Sequence, residues 1–77
     1  MPMYFFNVHH ERSHFDAEGQ DFPDRHAAWH EATITTSHAL RDINSKFQPG
    51  HELRVEVTDE FANPLYVIYV HAERSSK

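Results

Sequence analysis

Two groups of side chains in this sequence have types and spacings suited to chemistry. The first lies in "HFDAEGQDFPD", residues 14–24, where Asp16, Glu18, Asp21 and Asp24 crowd around Gly19, one of only two glycines. An EF-hand calcium loop needs oxygen ligands at positions 1, 3 and 5, glycine at 6 and glutamate at 12. Counted from Asp16, the glycine comes too early, the fifth position is Gln20 and the twelfth is Ala27. Phe22 and Pro23 also stand where ligands belong. The spacing fails the calcium test. A pair of carboxylates acting as acid and base would need a pocket, which a corner in so short a chain seldom supplies. These residues are better employed structurally: Gly19 bends the backbone, and Asp24, just after Pro23, caps a helix by accepting the unpaired N–H groups of its first turn.

The second group is the histidines, eight in all. His26 and His30 stand four apart and so project from one helix face, a spacing that suits zinc or nickel. No third and fourth ligand follow at fixed spacing. The zincin pattern places a glutamate directly after its first histidine, where this chain has Ala27. His9, His10 and His14 could meet across an early turn, with the same lack of further ligands. The expectation is no metal and no cofactor, with His26 and His30 the nearest candidates. The serines lie in no nucleophile-elbow context, there is no cysteine, and two separated glycines cannot form a phosphate cradle. No catalytic residue is assigned, and enzyme activity is not expected.

The formal net charge is −5, and the seven Lys and Arg residues are scattered. Nucleic acid binding draws on clustered positive charge, so it is not expected. Aromatic residues on a sheet can stack bases, but the basic-aromatic signature of an RNA-recognition motif is missing. Protonating the histidines would reverse the sign of the net charge under acid.

What elements must position these residues? A chain of 77 residues makes one domain with a thin core, here residues 1–72, with 73–77 as a frayed C-terminal tail. Without cysteine there is no disulfide staple, which leaves a well-packed small core, a histidine metal site or self-association. "MYFFNVH" reads as a strand, and residues 14–22 as a short second strand bent at Gly19. A helix of about 22 residues, roughly 33 Å long, follows Asp24. Pro49 and Gly50 suit the centre of a type II turn. In "HELRVEVTDE", Leu53, Val55 and Val57 alternate with Glu52, Arg54 and Glu56, the pattern of a half-buried antiparallel strand. "LYVIYVHA" is the last strand.

The order β-β-α-β-β defines an α+β fold, a small antiparallel sheet with one long helix packed on one face. Gly19, Asp24 and Gly50 hold its corners. Tyr4, Phe6, Val8, Trp29, Leu40, Ile43, Leu53, Val55, Val57, Ile68 and Val70 form the expected core. The first and last strands are apolar on both faces, and one helix can cover only one. Phe5, Val67 and Tyr69 are therefore assigned to an interface between two copies of the chain. No apolar run reaches membrane-spanning length and the N-terminus is not a signal peptide, so the expected location is the cytoplasm, with no membrane partner.

Several separated pieces carry a family resemblance. "YFFNV", "DAEGQDFPD" leading into "AAWHEA", and "EVTDEFANPL" resemble a family of short, uncharacterised bacterial proteins forming a domain of unknown function. Its pattern is YFF-x-V, D-x-EG, PD before an alanine-rich helix, and EV-x-DE before a glycine turn. Asp16, Gly19, Asp24, Ala28, Ala32 and Asp59 are among the matching positions. Ala62 departs from the pattern, standing where the family usually has glycine, so the last hairpin turn is expected to differ in backbone conformation. The chain is also similar, more distantly, to the HicB-type antitoxins, which share a tyrosine-bearing first strand, a D-x-EG turn and an FPD-like corner. The first resemblance implies no catalytic residues. The second implies pairing with a small protein partner. The expected function is that of a small non-catalytic binding or accessory protein that forms a homodimer; the alternative is an antitoxin-like or RNA-linked regulator.

Overall fold

The computed structural model describes residues 2–43 and 46–75. Part of the expected tail, residues 76 and 77, lies outside the described residues, as do residues 44 and 45 near the end of the expected helix. The order of elements is β1 (Met3–His9), β2 (Ser13–His14), β3 (Gln20–Asp21), α1 (Arg25–Ile43), β4 (Glu52–Asp59) and β5 (Pro64–His71). The fold is α+β, with one helix and one antiparallel five-stranded sheet among the described residues. β1 and β4 are its central strands and β5 forms one edge. The other edge is shared: β2 pairs the C-terminal end of β1, and β3 pairs its N-terminal end. The single short strand expected over residues 14–22 is thus two strands of two residues each.

Register divides the faces. Phe6 opposes Val57, Val8 opposes Val55, and on the far side Val55 and Val57 oppose Ile68 and Tyr66. These residues share the face beneath α1, since alternate residues of a strand point the same way. Leu53, Val55 and Val57 are fully buried at the centre. From the helix, the buried positions are Ala28, Ala32 and Thr36, four apart and hence on one line. Small side chains there let the helix backbone lie close to the sheet. Thr36 suits the line because its hydroxyl, buried with it, donates to the Ala32 carbonyl at 2.8 Å. Trp29 departs from the expected core. It is 38% exposed and packs at the rim against Tyr66, with ring centroids 5.1 Å apart. A wide indole next to Ala28 and Ala32 would hold the helix off the sheet, so it sits beside the contact line.

Asp24 Oδ1 accepts from the Ala27 N–H at 2.9 Å at the start of α1, satisfying one of the donors a helix leaves unpaired. Just before it, the Phe22 ring lies 6.1 Å from Tyr4 and 5.9 Å from Phe6, closing the corner. After the helix, His51 N–H donates to the Gln48 carbonyl at 2.9 Å, and Gly50 has a φ of +90°. With Pro49 at the preceding position this is a type II turn, whose third residue requires positive φ. Gly50 N–H to Ala72 and Ala72 N–H to His51 carry the β4–β5 pairing into the turn.

Candidate functional site

Among the described residues, no helix covers the second face of the sheet, yet it is not uniformly bare. On β1 it carries Phe5, Asn7 and His9, and the excursion from residue 15 to residue 19 folds over them. Gly19 lies against Phe5 so closely that a Cβ there would stand 2.8 Å from Phe5 Cε2. Asp16 N–H donates to Asn7 Oδ1 at 2.9 Å, and the Phe15 ring meets His9 edge-on at 5.5 Å. Asn7 is consequently buried, and Phe5 is half-buried.

Asp16 holds this excursion in place. Its Oδ1 accepts from the N–H groups of Glu18 and Gly19, each at 3.1 Å. Its Oδ2 accepts from the Phe6 N–H at 3.2 Å, between the parts of β1 paired by β2 and β3. A side chain thus takes the place of a missing strand. Partial burial by itself would raise the Asp16 pKa. The N–H groups of Gly19, Phe6 and Glu18 outweigh that and hold it below its ordinary value of 3.8. With three protein donors on the carboxylate, Asp16 is committed to the fold rather than offered to an ion. Asp59 plays a similar part in the β4–β5 hairpin. Its pKa is also lowered, first by the Asn63 side-chain amide and then by the N–H groups of Asn63 and Phe61.

Past the excursion, the second face opens over β5, while on β4 Arg54 and Glu56 are half-buried and Thr58 is buried. Arg54 opposes Tyr69 and Glu56 opposes Val67. Val67 and Tyr69 are 40% and 60% exposed, large apolar surface for so small a protein. Phe5, grouped with them on sequence grounds, lies on the same face beneath Gly19, two strands away. The open surface is therefore continuous with the free edge of β5. That strand, "PLYVIYVH", carries no Asp, Glu, Lys or Arg along its length.

His26 and His30 are both exposed on α1. Among the described residues, no third side chain joins them in a set compact enough to hold an ion. The structure instead brings together His10, Glu11 and His51, whose ligand atoms all lie within 4.8 Å of one another. Sequence reasoning missed this set because His51 is 41 residues from His10, and only the β1–β4 pairing makes them neighbours. It had grouped His10 with His9 and His14, but His9 turns its Nδ1 to Ser13 Oγ at 2.8 Å.

Among the described residues, no helix is long and apolar enough to cross a membrane. Among the described residues, the fold and its surfaces define a small one-helix α+β domain with one open sheet edge, that of β5. Within that class the chain belongs to the family described as a domain of unknown function (DUF6894), which matches residues 3–71. Comparison with curated proteins and with solved structures gave no match.

Proposed function

We propose that the protein is a non-catalytic cytoplasmic binding module that self-associates through the edge of β5 and the adjoining open face. The carrying observation is the free edge itself, a strand without Asp, Glu, Lys or Arg. Exposed edges are ordinarily protected by charges, prolines, bulges or covering segments, because their unpaired backbone groups template pairing with another strand. Pro64 and the pairing irregularity at Leu65 blunt only the start of β5, leaving residues 66–71. A second copy offers the same strand, and two-fold antiparallel pairing would satisfy both edges at once. A stable interface of standard size buries about 800 Å² per partner, about one seventh of the 5621 Å² surface. The regular part of the edge, residues 66–71, is roughly 20 Å long and supplies only part of that. Val67 and Tyr69 would supply the remainder.

Light scattering across a protein concentration series tests this. The wild-type chain should run as a dimer, and V67E/Y69K should run as a monomer with unchanged circular dichroism. A monomeric wild-type chain at high concentration would sink the proposal. The net charge of −5 favours a second reading, in which the same edge receives a strand from a small basic protein, as an antitoxin-like regulator would. Pull-down from the native host separates the two: a stoichiometric basic partner lost in V67E/Y69K supports the second.

A further inference from the structure

We propose that His10, Glu11 and His51 form a binding site for a divalent transition-metal ion of the zinc type, at the end of the sheet where β1 leaves and β4 begins. The central observation is the separation of the two imidazoles. His10 Nε2 and His51 Nδ1 face each other at 3.4 Å. That is long beside the roughly 2.7–3.2 Å of ordinary N–H···O hydrogen bonds. It is the separation expected of two nitrogens on one tetrahedral ion, since Zn–N bonds of about 2.0–2.1 Å at a tetrahedral angle put the nitrogens about 3.4 Å apart. The other protein contact to His51 Nδ1, the Gln48 N–H, is equally long at 3.4 Å. Both contacts are long, so neither neighbour satisfies this nitrogen well.

The rings are held before any ion arrives. Phe47 packs on both, with centroids 5.7 Å from His10 and 6.3 Å from His51. His51 is further fixed as the last residue of the type II turn, where its carbonyl accepts from Ala72. Glu11 is exposed and free to swing its carboxylate onto the ion. A second observation concerns the lining of the same place. The cluster lines a cleft of about 330 Å³ together with His9 and Arg54, and His9 Nε2 and Arg54 Nε are buried polar atoms with no protein hydrogen-bond partner. Packed interiors rarely leave such atoms unpaired.

The donor set selects the class of ion. Two imidazoles and one carboxylate suit zinc, nickel or copper(II), whereas magnesium and calcium favour all-oxygen shells. Three protein ligands leave one position of a tetrahedral ion open to the cleft. Bound there, the ion would tie the β1–β2 bend to the turn before β4.

Calorimetric titration of the untagged full chain with zinc chloride tests the site, with magnesium chloride as the oxygen-preferring control. The expected result is one equivalent of zinc bound and no magnesium. E11Q and H51Q should each weaken zinc binding about tenfold or more, while H26A/H30A should retain wild-type affinity. E11Q keeps the test decisive if H51Q disturbs the turn, because Glu11 is exposed. Wild-type affinity in E11Q or in a folded H51Q, substoichiometric binding by the wild type, or loss of binding in H26A/H30A would each overturn the proposal.

Discussion

Removing the Asp16 carboxylate deprives three backbone N–H groups of their acceptor, and the cost can be worked from their surroundings. A hydrogen bond to a charged group contributes about 1.5–3 kcal/mol when well protected. The Glu18 bond is exposed, while the Gly19 and Phe6 bonds are partly buried, so solvent discounts the first most heavily. The Phe6 N–H has no strand opposite it, and leaving such a donor unpaired costs about 1–3 kcal/mol. Together these give about 2–4 kcal/mol for D16A. For a domain of this size the melting temperature would fall by about 10–25 °C. D16N separates the contributions. Its Oδ1 can still receive Glu18 and Gly19, but an NH₂ group then faces the Phe6 N–H, donor against donor, for a loss of about 1–2 kcal/mol. Urea unfolding followed by circular dichroism measures both, and hydrogen exchange at the Phe6 amide reports the specific bond. The reasoning is refuted if D16A unfolds within about 0.5 kcal/mol of wild type, or if Phe6 exchange is unchanged in D16N.

Three further outcomes follow from local geometry. Asp16 and Asp59 both have pKa values lowered from 3.8 in the folded protein, so their contribution is fully present above the unfolded value and is lost as pH falls through the folded ones. The melting temperature should therefore hold down to about pH 5 and drop below about pH 4, less steeply in D16N/D59N; a wild-type profile flat to pH 2 would contradict this. Ala62 has a φ of +64°, a conformation costly for any residue with a Cβ, so A62G should gain about 0.5–1 kcal/mol in urea unfolding. Gly19 has a φ of +73° as well as Phe5 at its α-carbon, and G19A should lose about 2 kcal/mol in the same assay.

The sequence shows the long elements because their signals are local and periodic. β4 alternates cleanly, α1 starts at a Pro-Asp pair, and the Pro-Gly turn before β4 has the composition its geometry demands. The edge of β1 was less legible. A strand partner replaced by one carboxylate leaves no alternating pattern, so residues 14–22 read as one bent strand instead of two fragments around Asp16. The helix contact was misjudged at Trp29 because hydrophobic size suggests burial, whereas the close approach of helix to sheet selects Ala28, Ala32 and Thr36. Phe5 and Tyr69 looked equivalent because alternation reveals which face a residue takes and not what folds over that face. The His10, Glu11 and His51 cluster depends on strand pairing across 41 residues, which no short spacing encodes. The departure at Ala62 is different: the resemblance marked the position, and the positive φ there shows that the turn keeps a glycine-like backbone without its glycine.

The two borders of the sheet are unlike, and this limits how far such molecules can grow into larger arrays. β1 is closed to newcomers: β2 and β3 occupy its ends, and the Asp16 carboxylate occupies the backbone donor between them. β5 is the one border among the described strands that can accept an added strand. A protein with two receptive borders can add copies without end, the route to fibres. In the proposed pairing the first addition would consume the one receptive border among the described strands, and a two-fold pair would expose none. Under that pairing, the same short excursion that covers Phe5 would act as a stop on polymerisation.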